Sequence, residues 1–223
     1  MIIALSRQRI ASIDAFRGLT ILVMVFVNQL AGVSGVPQWA RHMKADADAM
    51  SFVDVVFPAF LFIVGMSIPF ALAQRQARGD DGAALQRHVL ARSLGLILLG
   101  FFMVNAEDGA NPAHMPFDIG WWSLGLYLCA FLLWGVYGGA RVGGINTWRA
   151  AGALGLLVLC CPWRGGPDGK AWMTHQWWGI LGLIGWSYLI SASVYLAARA
   201  RIGILLLAAA ARSSTKTRAR HAR

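Results

Sequence analysis

Charge is what this chain has least of. Only 13% of its 223 residues are Asp, Glu, Lys or Arg, against about 25% in an ordinary soluble domain. Acidic residues are scarcer still, 10 against 20 basic ones. Alternation of polar and apolar residues, the mark of a core wrapped in a surface, is also missing. The hydrophobic 57% comes in blocks instead. Cysteines number three, and Cys129, Cys160 and Cys161 all fall inside those blocks or at a block end. They form no disulfide framework, read as small apolar filler, and say little of redox compartment. An internal repeat of the kind many transporters carry is not visible either.

What is present is a series of apolar stretches, each about long enough to cross a ~30 Å hydrocarbon layer, which takes roughly 20 residues. They run at about 15–33, 52–73, 89–104, 121–137, 150–161 and 177–198, the fifth being the shortest. The first follows Arg7 and Arg9, as the core of a signal peptide would. It is long, lacks a cleavage site and is followed by more blocks, so it reads as a transmembrane helix. Pro58 and Pro69 lie in the second block, where a membrane helix tolerates them if neighbours satisfy the freed carbonyls. The expected fold is all-α, a polytopic transmembrane helix bundle of about six helices. One membrane domain would occupy 1–211, with a basic polar tail at 212–223.

A net charge of +10 can point to nucleic acid. Here the arginines lie between the apolar blocks and in the tail rather than along one face, which excludes that partner. Arg and Lys in short loops mark the cytoplasmic side. The segment 74–92 carries Arg75, Arg78, Arg87 and Arg92 with Asp80 and Asp81, whereas 105–120 carries Glu107, Asp108 and Asp118 without a base. Arg141 and Arg149 follow in the fourth connection. This alternation predicts both termini in the cytoplasm and the loops at 29–51, 105–120 and 162–176 outside. Trp39, Trp121, Trp122, Trp163, Trp172, Trp177 and Trp178 gather at the proposed outer ends, as interfacial anchors do; stacking on a sugar is the lesser alternative.

Ionisable groups in a membrane segment cost at least ~2.5 kcal/mol at the helix centre and need a partner or a function. Asp14 and Arg17 sit three apart on one face of the first helix. They form either a local ion pair or an anion site for cytoplasmic phosphates. Asn28 stands near the outer end of that helix, as a terminal amide or a ligand group. The outer loop holds His42, Lys44, Asp46 and Asp48, with Asp54 beginning the second helix. A carboxylate can orient a histidine and fix its tautomer, giving a general base or an acyl-carrying nucleophile. By spacing alone, a solvated loop histidine is the commoner case. Asp46 and Asp48 are too few for a metal site, and none is expected. His175 is a reserve candidate at another outer end.

Three stretches resemble a known family. Residues 9–28, RIASIDAFRGLTILVMVFVN, are similar to the opening of the heparan-alpha-glucosaminide N-acetyltransferase-like family of bacterial membrane proteins. Residues 54–68, DVVFPAFLFIVGMSI, resemble its second-helix signature, and residues 175–188, HQWWGILGLIGWSY, look like a later helix. The resemblance implies a multi-pass acetyltransferase of the cell (inner) membrane. It would move acetyl from cytoplasmic acetyl-CoA to an amino sugar on the extracytoplasmic side. His42 then inherits the role of acetyl acceptor or general base, and Asp54 orients it. Asn28 would hold the acetyl carbonyl or the sugar, and Asp14 and Arg17 would face the cofactor. His42 lies farther before Asp54 than in the animal-type pattern, so the loop must bulge to join them. Family members carry more helices, which makes this a C-terminally shortened member. The expected partners are the bilayer and a small sugar acceptor, with a homo-oligomer left open. The alternatives are a non-catalytic membrane module, a small-solute transporter or a truncated inactive fragment.

Overall fold

The computed structural model describes residues 11–30, 33–43, 47–137 and 145–198. Among them, six α-helices follow one another: α1 (Ala11–Leu30), α2 (Phe52–Gln76), α3 (Gly82–Glu107), α4 (Ile119–Trp134), α5 (Ile145–Cys160) and α6 (Gly179–Ala197). A 310 turn, Gln38–Ala40, lies between α1 and α2. The helical bundle expected from the apolar blocks is borne out. Asp46, Lys44, Arg141 and the basic tail at 212–223 lie outside the described residues.

Four helices, α1, α2, α3 and α6, are long and apolar enough to cross a membrane. The fourth and fifth blocks also fold as helices, of 16 residues each. At 1.5 Å per residue these rise ~24 Å, short of a ~30 Å layer. The third helix starts at Gly82, earlier than its apolar run. Asp81 explains the extension, because its side chain accepts from the Ala84 N–H at 2.7 Å and starts the helix ahead of the apolar segment. Large apolar side chains point outward along these helices, Phe62, Leu128 and Phe131 among them. A soluble protein rarely exposes so much contiguous apolar surface; lipid is the solvent that suits it. The protein is a multi-pass membrane protein.

The chain divides into two units, with the division falling inside α3 and inside α6. The first comprises 1–91 and 187–223. There Ile68 and Leu72 of α2 pack with Leu85 and Val89 of α3 and with Tyr188 and Ala192 of α6. At the other end of α2, Val53 and Val56 close against Val27 of α1. The α2–α3 turn is tied by Arg75 Nε to Asp80 Oδ2 at 2.7 Å, with Gly79 supplying a φ of +100° that side chains avoid. The contacts of α2 with α1 and its cluster with α3 and α6 thus lie at opposite ends of α2.

The second unit, 92–186, has its own core of Phe102, Met115, Trp122, Leu126, Leu156, Trp163 and Met173. Helices α4 and α5 meet closely, since a Cβ on Gly152 would lie 2.7 Å from the Cys129 carbonyl. The connections at 108–118 and 161–178 are stitched together: the Asn111 N–H donates to the Arg164 carbonyl, and Gly165 pairs with both Ala110 and Ala171. Beneath them Asn105, fully buried, donates to the Phe101 and Thr174 carbonyls and accepts from the Thr174 N–H. Trp163 donates its indole N–H to the Asn105 carbonyl, and Trp122 donates to that of Leu159. These two tryptophans are core residues rather than the interfacial anchors expected of them. Trp39, Trp121, Trp172 and Trp177 remain exposed, as anchors would be.

Candidate functional site

The described residues joining α1 to α2 hold little regular structure, so individual hydrogen bonds place their side chains. The Val33 N–H donates to the Leu30 carbonyl at 3.1 Å and turns the chain out of α1. Gly35 follows with φ +81°, a conformation that favours glycine. Pro37 then caps the 310 turn, in which the Ala40 and Arg41 N–H groups donate to the Pro37 and Gln38 carbonyls. Ala40 is buried, and the Trp39 ring meets Phe52 edge-on with centroids 6.4 Å apart. The turn therefore seats on the start of α2 and presents Arg41 and His42 next in the chain.

Ser51 starts α2 with a capping box. Its hydroxyl accepts from the Asp54 N–H, while the Asp54 carboxylate accepts from the Ser51 N–H. Two orphan donors of the helix start are thereby satisfied reciprocally. The box has a second effect, because it immobilises a carboxylate. Oδ2 of Asp54 accepts from the Ser51 N–H and hydroxyl, both at 2.9 Å, and from the Met43 N–H at 3.3 Å. Oδ1 is left for His42, whose Nδ1 lies 2.7 Å away. His42 and Asp54 thus meet although twelve positions separate them in the chain.

An ionised carboxylate only accepts, so Nδ1 carries the proton of the pair, and in a neutral imidazole the lone pair is then on Nε2. The imidazole is 63% exposed while the carboxylate is 23% exposed. The carboxylate is thus sheltered and the imidazole is open. His42 lines a cavity of ≈ 400 Å³, within the ~300–1,000 Å³ typical of small-molecule sites. Val27, Leu30, Val33, Ala40 and Val53 form its apolar wall, and Ser34, Gly35, Arg41 and His42 its polar side.

The other expected site residues lie apart from this pair. Asn28 is exposed next to Val27 and does not line the cavity. Arg17 Nη2 contacts Asp14 Oδ1 at 2.9 Å, both side chains 44% exposed, so the two come together as an ion pair. Eleven residues of α1 separate Arg17 from Asn28, or ~17 Å along the axis. In the second unit, exposed His175 lies against Trp178 with ring centroids 5.2 Å apart. Three left-handed residues follow it closely, Gln176, Trp178 and Gly179. Among the described residues, no three His, Cys, Asp or Glu side chains gather as a metal cluster would. Ser51 is the residue that sequence reasoning overlooked. Its signal was legible: Ser-x-x-Asp ahead of an apolar run is a capping box.

Comparison with known proteins adds to this geometry. Residues 9–154 match a family described as a domain of unknown function, DUF5009. The chain is similar to heparan-alpha-glucosaminide N-acetyltransferase of Homo sapiens, 34% identical over 104 residues, which is 47% of this chain and 15% of the human protein. For the Mus musculus protein of that name the figures are 33% over 107 residues, 48% and 16%. The match therefore spans about a sixth of the length of these curated relatives. No solved structure matches.

Proposed function

This chain belongs to the DUF5009 family and is related in sequence to heparan-alpha-glucosaminide N-acetyltransferases, and on that premise we propose that it is a membrane acetyltransferase. Acetyl-CoA is the donor and the amine of an amino sugar the acceptor. One observation carries the reading: an exposed imidazole held by a saturated carboxylate at the edge of a cavity sized for a small molecule.

In the proposed reaction, the acceptor amine attacks the thioester carbonyl from within the cavity. The C–N bond forms as Nε2 of His42 takes the amine proton, and the C–S bond breaks. The proton then passes from Nε2 to the departing thiolate, which restores the neutral imidazole. Asp54 stabilises the transient imidazolium through Nδ1–H and holds the ring in place. If acetyl is carried in two steps, the same Nε2 lone pair attacks first, and rapid quenching would trap a labelled enzyme.

The orientation belongs to the proposal as well. Arg75, Arg78 and Arg87 mark the end of the first unit that would face the cytoplasm, opposite to His42. Arg17 lies toward that basic end, and its guanidinium, bound to Asp14 by one nitrogen, keeps donors for a cofactor phosphate. The acetyl-bearing arm would then run along α1 to the cavity, with the sugar entering from outside the cell (inner) membrane.

The experiment supplies purified protein with labelled acetyl-CoA and glucosamine. Replacing His42 by Ala is expected to lower the initial rate ~100-fold or more, with little change in melting temperature. Equal rates for the two proteins would remove His42 from the chemistry.

A further inference from the structure

Arg41 immediately precedes His42 and lines the same cavity. Its backbone is fixed, because its N–H closes the 310 turn on the Gln38 carbonyl. Its guanidinium has no structural duty among the described residues. It takes no part in the ion pairs Asp14–Arg17, His42–Asp54 and Arg75–Asp80. The Asp54 carboxylate is committed on both oxygens to His42, Ser51 and Met43. Much of the remaining lining is hydrocarbon: Val27, Leu30, Val33, Ala40 and Val53. An arginine in this position is a preformed fork for a carboxylate, sulfate or phosphate, which it binds bidentately.

We propose that Arg41 determines acceptor specificity by binding an anionic group carried by the amino sugar. The proposal rests on the acetyltransferase reading, and it narrows the substrate class to an acidic amino sugar, one bearing a carboxylate, sulfate or phosphate beside its amine. The phosphates of acetyl-CoA share that chemistry. They are separated from the thioester by the whole pantetheine arm, whereas Arg41 shares the cavity with the reacting imidazole. The acceptor is therefore the source the geometry favours. Charge complementarity would act mainly on acceptor KM, since the fork holds the sugar rather than the reacting carbonyl.

The test uses the full chain in lipid nanodiscs at fixed ionic strength, with glucosamine and glucosamine 6-sulfate as probes. Wild type is expected to prefer the sulfated sugar about tenfold or more in kcat/KM, chiefly through KM. Arg41→Gln is expected to bring that ratio close to one, and Arg41→Lys, which keeps the charge and loses the fork, to fall between. No preference in wild type, or a preference that survives R41Q, overturns the proposal. So does a rise in KM for acetyl-CoA with the acceptor ratio unchanged. A second arm measures equilibrium binding of the two sugars by calorimetry, in wild type and R41Q, without acetyl-CoA. If no acetyl is transferred to either sugar, the acetyltransferase reading fails while this arm still decides on Arg41: tighter binding of the sulfated sugar, lost in R41Q, supports it, and equal binding overturns it.

Discussion

The two units solve one problem, a polar side chain at a helix end in an apolar protein, with opposite results. In the second unit Asn105 is fully buried and spends both its oxygen and its nitrogen on backbone groups of Thr174 and Phe101. Nothing is left over for a ligand; the amide is a staple. In the first unit Asp54 is equally committed, but one of its partners is an exposed imidazole with a second nitrogen free. Saturating a carboxylate there leaves an unspent nitrogen on a side chain that lines a cavity. The difference lies in what the partner can still do after the hydrogen bond is made.

The sharpest way to break this comparison is at Asp54. Asp54→Asn keeps the size but turns an acceptor into a group that can donate, so Nδ1 no longer has a carboxylate to hold its proton. Acetyl transfer is expected to fall ~100-fold or more, and initial rates with labelled acetyl-CoA measure it. Rates within a few-fold of wild type would dissolve the distinction between the units. Asn105→Leu probes the staple. It removes two hydrogen bonds to the Thr174 backbone and one to the Phe101 carbonyl, at ~0.5–1.5 kcal/mol each, so melting in detergent should drop by several degrees. The rate per folded molecule should hold, and a selective loss of rate would make Asn105 functional after all. Ser51→Ala has the smallest expected effect. It removes one cap, worth ~1 kcal/mol, and one of the three bonds to Oδ2, while the Ser51 and Met43 N–H groups still hold that oxygen. A rate loss below tenfold is expected, with Ser51→Thr restoring it, as kinetics on both variants would establish.

Much of the bundle was legible because lipid imposes a simple rule on composition. Apolar runs near 20 residues gave away α1, α2, α3 and α6, and the shorter runs also folded as helices. The start of α3 was missed because its first turns carry Arg87 and other polar residues, outside any apolar run. What begins them is a side chain at Asp81 rather than a hydrophobic pattern. Trp122 and Trp163 looked like interfacial anchors for the same reason. A tryptophan near a helix end satisfies its N–H either in the headgroup layer or on a backbone carbonyl, and only folded loops supply the carbonyl. His42 and Asp54 stood out as polar residues beside an apolar helix, yet spacing alone left His42 as a solvated side chain.

By itself, the amino-acid order determined that this chain belongs in a bilayer, because a backbone in hydrocarbon must satisfy its own hydrogen bonds and helices do so locally. Local information suffices for such elements. Tertiary structure alone decided which polar residues meet across twelve positions of chain and which oxygen of Asp54 each partner takes. It also decided that Arg41 and His42 line the cavity while Asn28 does not. Those outcomes depend on one turn seating Ala40 and on one cap fixing Asp54, contacts whose geometry no periodicity encodes.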